Sequence, residues 1–351
     1  PPIAADRRPG AAAATLLFVL NEFLQREIDL GSFPGAAYAV GTADGITREN
    51  ALGHAVAVPL RIPATLDTIW DCASTTKVLV TTILVLQAVA EGKIALDDVY
   101  RCASYRELLS HTSGLRSWLP TYWYEDPLSA IERWGRVRPR GSDPEYSDLN
   151  FFLLYYALEE IYGDYREAAR ARIFEPLGLR DTCFDPPAEK KSRIAATEWG
   201  QRFERVLAAR LQSPPATVQR EVRQGLMWGD ANDGNSFHAG GTLGNAGLFA
   251  TARDAFRIMQ AFVRGELVPR ALAEESARKV AGDRALGWQL EGPGLPRRSF
   301  GHMGFTGTSV WCDGTMIYVL MTNRVHPCAA PIGMHRIRGE FHRLASSMTT
   351  S

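Results

Sequence analysis

The chain predicts a mixed α/β fold of the α+β kind, an antiparallel sheet flanked by helices with a mainly helical domain inserted in its middle. Three observations carry this. Two strand-like runs flank Asp44-Gly45 near the N-terminus, and two more flank Asp313-Gly314 near the C-terminus. Such pairs read as antiparallel hairpins. The long region between them is rich in helical patterns and loops. Strands at both ends with helices between predict one mixed domain, residues 1–78 together with 240–351, and an inserted helical domain at 79–239. With 351 residues, the chain also favours two domains over a single core.

The elements follow in order. Leu16, Leu17, Leu20, Phe23, Leu24 and Ile28 recur at helical spacing and mark an amphipathic first helix. Arg7-Arg8 before an apolar run has the outline of a signal peptide, but the run stops at Asn21 and no small-residue cleavage site follows. The chain starts at Pro1, as a trimmed or mature form would. Residues 36–41 and 46–55 form the first hairpin. A helix then opens at Ser74, with an apolar body over 78–90 and a glycine stop at Glu91-Gly92. No stretch reads as long enough to span a membrane. Residues 149–162 and 165–174 are further helices, the second closed by Glu175-Pro176-Leu177-Gly178. Segment 185–236, with Pro186-Pro187 and Pro214-Pro215, reads as irregular. The glycine-rich run 240–247 fits neither the dinucleotide fingerprint nor the P-loop and reads as a tight turn into a strand at 248–250. Residues 309–312 and 316–320 make the second hairpin, and a last helix covers 333–346.

Composition removes several function classes. Acidic and basic residues balance at 39 each, so nothing points to a nucleic-acid or polyanion partner. There is no low-complexity tract and no repeat. Cys72, Cys102, Cys183, Cys312 and Cys328 contain no Cys-x-x-Cys pair and read as buried small hydrophobes, with at least one free thiol. The seven histidines are scattered, with no His-Glu-x-x-His or comparable cluster, so no metal and no cofactor is expected. The absence of a Gly-x-Ser-x-Gly elbow argues against an α/β-hydrolase.

The most informative feature is Ser74-Thr75-Thr76-Lys77. A serine and a lysine three residues apart at a helix start share one face, close enough to exchange a proton. That arrangement can turn a weak alcohol into a nucleophile. The helix N-terminus favours negative charge at Ser74, and the apolar body would desolvate Lys77 and lower its pKa. Ser74 reads equally well as a plain N-cap with Lys77 pointing to water. A second copy, Ser276-Ala277-Arg278-Lys279, lies in a charged stretch and reads as solvated surface. Tyr146-Ser147-Asp148 precedes a helix, where Asp148 serves as an N-cap and Tyr146 as a packing aromatic. The run 301–309 holds His302, Gly304 and Phe305. Its glycines mark either a strand that another group approaches closely or a surface turn.

Taken in order, Ser74-Thr75-Thr76-Lys77, Tyr146-Ser147-Asp148 and His302-Met303-Gly304 resemble the three motifs of the penicillin-recognising serine enzymes. That family includes class C β-lactamases, low-molecular-weight penicillin-binding proteins and related esterases. Its patterns are Ser-x-x-Lys, Tyr-x-Asn and Lys-Thr-Gly, with His-Thr-Gly a common variant on the esterase side. Segments 108–115, 175–179 and 322–324 look like the same family, and the likeness covers roughly residues 35–345. The ordered set is far more specific than any member.

The resemblance implies a β-lactamase/transpeptidase-like fold and assigns roles. Ser74 would attack an acyl carbonyl while Lys77 and Tyr146 share the proton. The backbone N–H groups of Ser74 and Phe305 would form the oxyanion hole, with Asp148, His302 and Gly304 contacting substrate. Two departures matter. Asp148 replaces the usual asparagine, which places a negative charge near Lys77 and raises its pKa. His302-Met303 replaces Lys-Thr, which weakens the cation that meets a substrate carboxylate. The expectation is therefore a serine hydrolase acting through an acyl-enzyme on an ester or small amide, with a small-molecule acyl substrate as partner. A D-Ala-D-Ala-type carboxypeptidase or weak β-lactamase stands second, and a non-catalytic penicillin-sensing module is the rival from another class. The resemblance implies a periplasmic or secreted location, while the lack of a visible signal peptide fits the cytoplasm. Oligomeric state stays open. Trp118, Tyr122, Trp123, Tyr124, Trp199 and Trp228 line a pocket or fill a core.

Overall fold

The computed structural model describes residues 11–218, 220, 223–329 and 333–347. Arg7 and Arg8, and the side chains of Leu16 and Leu17, lie outside the described residues. Helix α1 (Ala11–Asp29) leads into the hairpin β1 (Gly35–Thr42) and β2 (Gly45–Val56), then β3 (Ile62–Pro63) and β4 (Trp70–Asp71). The helical segment after β4 is a 3-10 turn (Ala73–Thr75), a π turn (Lys77–Thr81) and helix α2 (Thr82–Ala90). The middle supplies β5 (Val99–Tyr100), β6 (Ala103–Ser104), α3 (Tyr105–Leu109), α4 (Pro127–Trp134), α5 (Asp148–Tyr162), α6 (Tyr165–Ala169), β7 (Cys183–Phe184), α7 (Arg202–Arg210) and α8 (Gly234–His238). The last third contains β8 (Leu248–Ala250), α9 (Ala252–Arg264), α10 (Arg270–Ser276), β9 (Gln289–Leu290), β10 (Phe300–Met303), β11 (Ser309–Cys312), β12 (Met316–Thr322) and α11 (Met334–Ser346).

Seven strands form one antiparallel sheet in the order β3-β2-β1-β12-β11-β10-β9. The two terminal hairpins meet where β1 pairs with β12, Ala39 opposite Val319. Both are central strands, and both are buried almost throughout, as their unbroken apolar runs require. Side chains still alternate between faces. Tyr38, Val40, Tyr318 and Leu320 pack with Leu20, Leu24, Ile337 and Phe341 of α1 and α11. Ala37, Ala39, Ile317 and Val319 join the larger cluster with Phe256, Met259 and Phe262 of α9. That larger cluster continues through Val78–Leu86 into α5, so one face of the sheet shares it with the helices of the middle region.

The apolar body behind Ser74 is buried from Val78 to Leu86. Each such side chain gives about 1.5–3 kcal/mol on burial, which anchors the segment and offsets the cost of burying Lys77 within it. Ala73–Ala90 is long and apolar enough to cross a membrane by length and composition, which corrects the reading that no stretch is; 78% of it is buried inside the protein. Segment 185–236 is less irregular than its prolines suggest, since α7 and a 3-10 helix (Ala188–Arg193) lie in it. Phe203, Val206 and Leu207 had helical spacing, but Gln201 offers no side-chain cap to announce the helix. Ser276 is buried rather than solvated: its hydroxyl donates to Ala273 O and accepts from Trp288 Nε1, while Lys279 is exposed.

Candidate active site

Ser74 follows Ala73, whose φ of +46° lies in the left-handed region. For a residue with a Cβ that conformation costs about 1–2 kcal/mol, so the surroundings must hold it. Asp71 does so from one side. Its carboxylate accepts the Ala73 N–H at 2.8 Å through Oδ1 and the Asn232 N–H at 2.7 Å through Oδ2. Burial nonetheless pushes this carboxyl up to about 6. From the other side the hydroxyls of Thr306 and Thr308 donate to the carbonyls of Asp71 and Cys72 at 2.8 and 2.9 Å. Gly304 sits where this loop meets the turn. A Cβ there would stand 2.7 Å from Cys72 O and 2.0 Å from Thr308 Oγ1, so only glycine fits.

Lys77 is fully buried, and its Nζ has three acceptors: Asp148 Oδ1 at 2.7 Å, Asn245 O at 3.1 Å and Ser74 Oγ at 3.2 Å. An ammonium carries three N–H donors, and each meets one of them. Burial pushes the pKa of Lys77 down, but the Asp148 carboxylate and Tyr146 push it up and win, so it lies above its ordinary value. The sequence-based lowering by desolvation is thus corrected, and the raising by Asp148 is the direction that prevails. Lys77 is a cation at neutral pH.

Tyr146 Oη lies 2.8 Å from Ser74 Oγ and 3.1 Å from Asp148 Oδ1. Burial, reinforced by the Asp148 charge, pushes the phenol up to about 12, so it is protonated. Asp148 is not the N-cap expected from its position. Ser147 occupies the cap, its N–H donating to His111 Nδ1 and its hydroxyl to Arg116 O, and Asp148 is the first residue of α5. Its carboxylate is thereby free to face Lys77.

His302 lies in β10 and is buried, not on the surface. Its Nδ1–H donates to Met303 O at 2.8 Å. Burial, together with the charges of Lys77 and Arg284, holds its pKa well below the usual imidazole range. It is neutral rather than partly charged. The Gly304 N–H donates to Thr308 O at 2.8 Å inside the loop.

These groups open into a cavity of about 270 Å³. Ser74, Tyr146 and Asp148 stand in it with Phe305, and Trp118, Phe203 and Leu207 give it apolar walls. Glu198, Glu204 and Asp233 also line it. Burial raises all three carboxyls, Glu198 to about 7. Sequence reasoning missed α7, these acids and Asn245. The spacing of Phe203 and Leu207 was the available signal for α7; the lysine ligand from Asn245 is a backbone carbonyl, which no residue type announces. Of the six aromatics singled out, Trp118 lines the cavity. The hydroxyls of Tyr122 and Tyr124 donate to Glu204 and to Pro214 O, and the Trp228 indole donates to Ile194 O.

The sequence model of the Beta-lactamase family matches residues 20–338. The chain belongs to the Beta-lactamase family. As a member, it is a serine hydrolase of the β-lactamase/transpeptidase-like fold. It is 26% identical over 375 residues to a putative D-alanyl-D-alanine carboxypeptidase of Escherichia coli, covering 89% of this chain and 83% of the relative. Among solved structures, EstCE1, described as a hydrolase with promiscuous acyltransferase activity, superposes with a TM-score of 0.73 at 18% identity, over 97% of this chain and 100% of that one. A penicillin-binding protein homologue from Caulobacter crescentus gives 0.71 at 20% identity, over 95% and 97%.

Proposed function

We propose that the protein hydrolyses esters or small amides through an acyl-enzyme on Ser74. The observation that carries this is the contact of one serine oxygen with both Tyr146 Oη at 2.8 Å and Lys77 Nζ at 3.2 Å, inside a cavity. The site joins the two proposed domains: Ser74, Lys77 and Phe305 come from 1–78 and 240–351, and Tyr146 and Asp148 from 79–239.

The proton inventory suggests a route. With all three of its N–H groups engaged, Lys77 has no lone pair to take the serine proton. Tyr146 has one proton and two oxygen neighbours. The geometry lets it donate to Ser74 or to Asp148; in our reading the reactive arrangement is the one in which it donates to Asp148 and the Ser74 hydroxyl turns to donate to it. As Ser74 Oγ bonds to the acyl carbon, its proton moves to Tyr146 Oη and the tyrosine proton moves to Asp148 Oδ1. Lys77 stabilises the charge on this relay throughout. The carbonyl oxygen takes negative charge facing the N–H groups of Ser74 and Phe305. The bond to the leaving alcohol or amine then breaks as the relay returns a proton to it. Water repeats the sequence on the acyl-enzyme, releasing the acid and restoring Ser74.

Substrate charge sets the choice among related activities. The cavity lining includes carboxylates and, among the described residues, no lysine or arginine, and His302 is neutral. A substrate carboxylate forgoes a charge-assisted hydrogen bond worth about 1.5–3 kcal/mol. The carboxypeptidase reading, favoured by the name of the Escherichia coli relative, therefore stands second. Steady-state kinetics on p-nitrophenyl butyrate, nitrocefin and a D-alanyl-D-alanine peptide test this. The ester should lead in kcat/KM by roughly tenfold to a hundredfold; a peptide or cephalosporin that leads instead would reverse the order.

A further inference from the structure

Four of the large apolar side chains that the protein exposes gather at one place. Val206 is 67% exposed, Trp199 46%, Val58 42% and Phe203 40%. Together with Pro327 they line a groove of about 560 Å³. Single exposed apolar residues are ordinary, but a contiguous patch beside a pocket marks a binding surface. This groove adjoins the Ser74 cavity, because Phe203 and Glu198 line both. Helix α7 makes the connection. It turns Leu207 into the cavity and Val206 into the groove, with Phe203 at the junction. The Phe203 ring packs on Phe305, centroids 4.6 Å apart, which ties that junction to the loop beside Ser74. Glu198 is only 4% exposed, so apart from Arg202, which also lines the groove, the walls present mostly hydrocarbon.

We propose that the substrate carries an apolar alkyl or aryl arm that leaves the Ser74 cavity past Phe203 and lies in the groove of Val58, Trp199, Val206 and Pro327. This rests on the acyl-enzyme reading and names its substrate class. The occupant is part of the substrate rather than a second protein, because the groove lies against the cavity that holds the nucleophile and shares Phe203 and Glu198 with it.

A fully buried methylene is worth about fourfold in binding, and one half covered about twofold. The six methylenes that separate an acetate from an octanoate then compound to roughly sixtyfold in kcat/KM. The experiment measures kcat/KM for p-nitrophenyl esters from acetate to octanoate and for the matching alkyl acetates, in the wild type and in Val206→Glu. Val206 is largely exposed, so the substitution leaves the core untouched. The expected result is a steep rise with chain length in one of the two series, and a fall of about tenfold or more in the octanoate-to-acetate or octyl-to-methyl ratio in Val206→Glu. The ratio is insensitive to the fraction of folded enzyme. Turnover that is flat in chain length in both series, or a ratio that Val206→Glu leaves alone, overturns this inference and spares the acyl-enzyme reading. No turnover of any ester, with Ser74 unreactive to a fluorophosphonate, overturns both.

Discussion

Replacing Asp148 by asparagine removes a charge 2.7 Å from Lys77 Nζ and 3.1 Å from Tyr146 Oη while keeping the shape of the side chain. At an effective dielectric near 20, two unit charges at that distance attract by about 6 kcal/mol. Desolvation opposes much of this, and losing one partner of a buried pair costs about 3–5 kcal/mol. Burial alone pushes the Lys77 pKa down, so losing the carboxylate lowers that pKa and eases the cost of the unpaired cation to the fold. The relay, however, has lost its terminal acceptor. General acid–base assistance is worth about 10²–10⁴ in rate, so kcat on p-nitrophenyl butyrate should fall about a hundredfold or more at neutral pH. The wild-type pH profile supplies an independent arm. Tyr146 titrates at about 12 and Lys77 above its ordinary 10.5. A relay ending on a carboxylate therefore gives a rate that is flat from neutral pH to about pH 10. A reaction that waits for neutral Lys77 gives one still climbing there. The reasoning is refuted if Asp148→Asn matches or exceeds the wild type while the wild-type rate climbs through pH 10.

Three further outcomes follow from the same geometry. Gly304→Ala drives a Cβ against Cys72 O and Thr308 Oγ1; it should lower the melting temperature and cut kcat, and a crystal of the variant should show the 304–308 loop displaced from the Ser74 turn. Asp71→Asn keeps one acceptor and turns an amide N–H toward a backbone donor, leaving one of two buried N–H groups unpaired at about 1–3 kcal/mol; urea melts and kcat should fall together as the turn at Ala73 relaxes. Glu198 is raised from 4.5 to about 7, so its contribution to stability is fully present below pH 4.5 and is lost as pH rises through 7. Glu198→Gln does not titrate, and its advantage should grow across that window by on the order of 3 kcal/mol, read from denaturant melts at pH 4 and 8.

The parts of this fold that are legible in the sequence rest on local pattern. The hairpins about Asp44-Gly45 and Asp313-Gly314 announce themselves in their turn residues, and α5 and α11 by their apolar spacing. Ser74, Lys77 and Tyr146 stand out because the chemistry requires those residue types in that order. What stays hidden depends on distant groups. The charge state of Lys77 is decided by Asp148, 71 residues away in the chain, with Tyr146 beside it. His302 has the composition of a surface turn but is buried where β10 meets β11. Helix α7 carries the right spacing, yet its apolar face turns to a cavity and a groove instead of a core, and no cap marks its start.

The claim at the centre of this account is a covalent intermediate on Ser74. Intact mass after brief reaction with p-nitrophenyl butyrate and an acid quench, followed by peptide mapping, tests it most directly. A butyryl mass gain located on Ser74 and absent from Ser74→Ala is the predicted result. Turnover of the ester with no adduct at Ser74, or the same adduct and rate in Ser74→Ala, would contradict it.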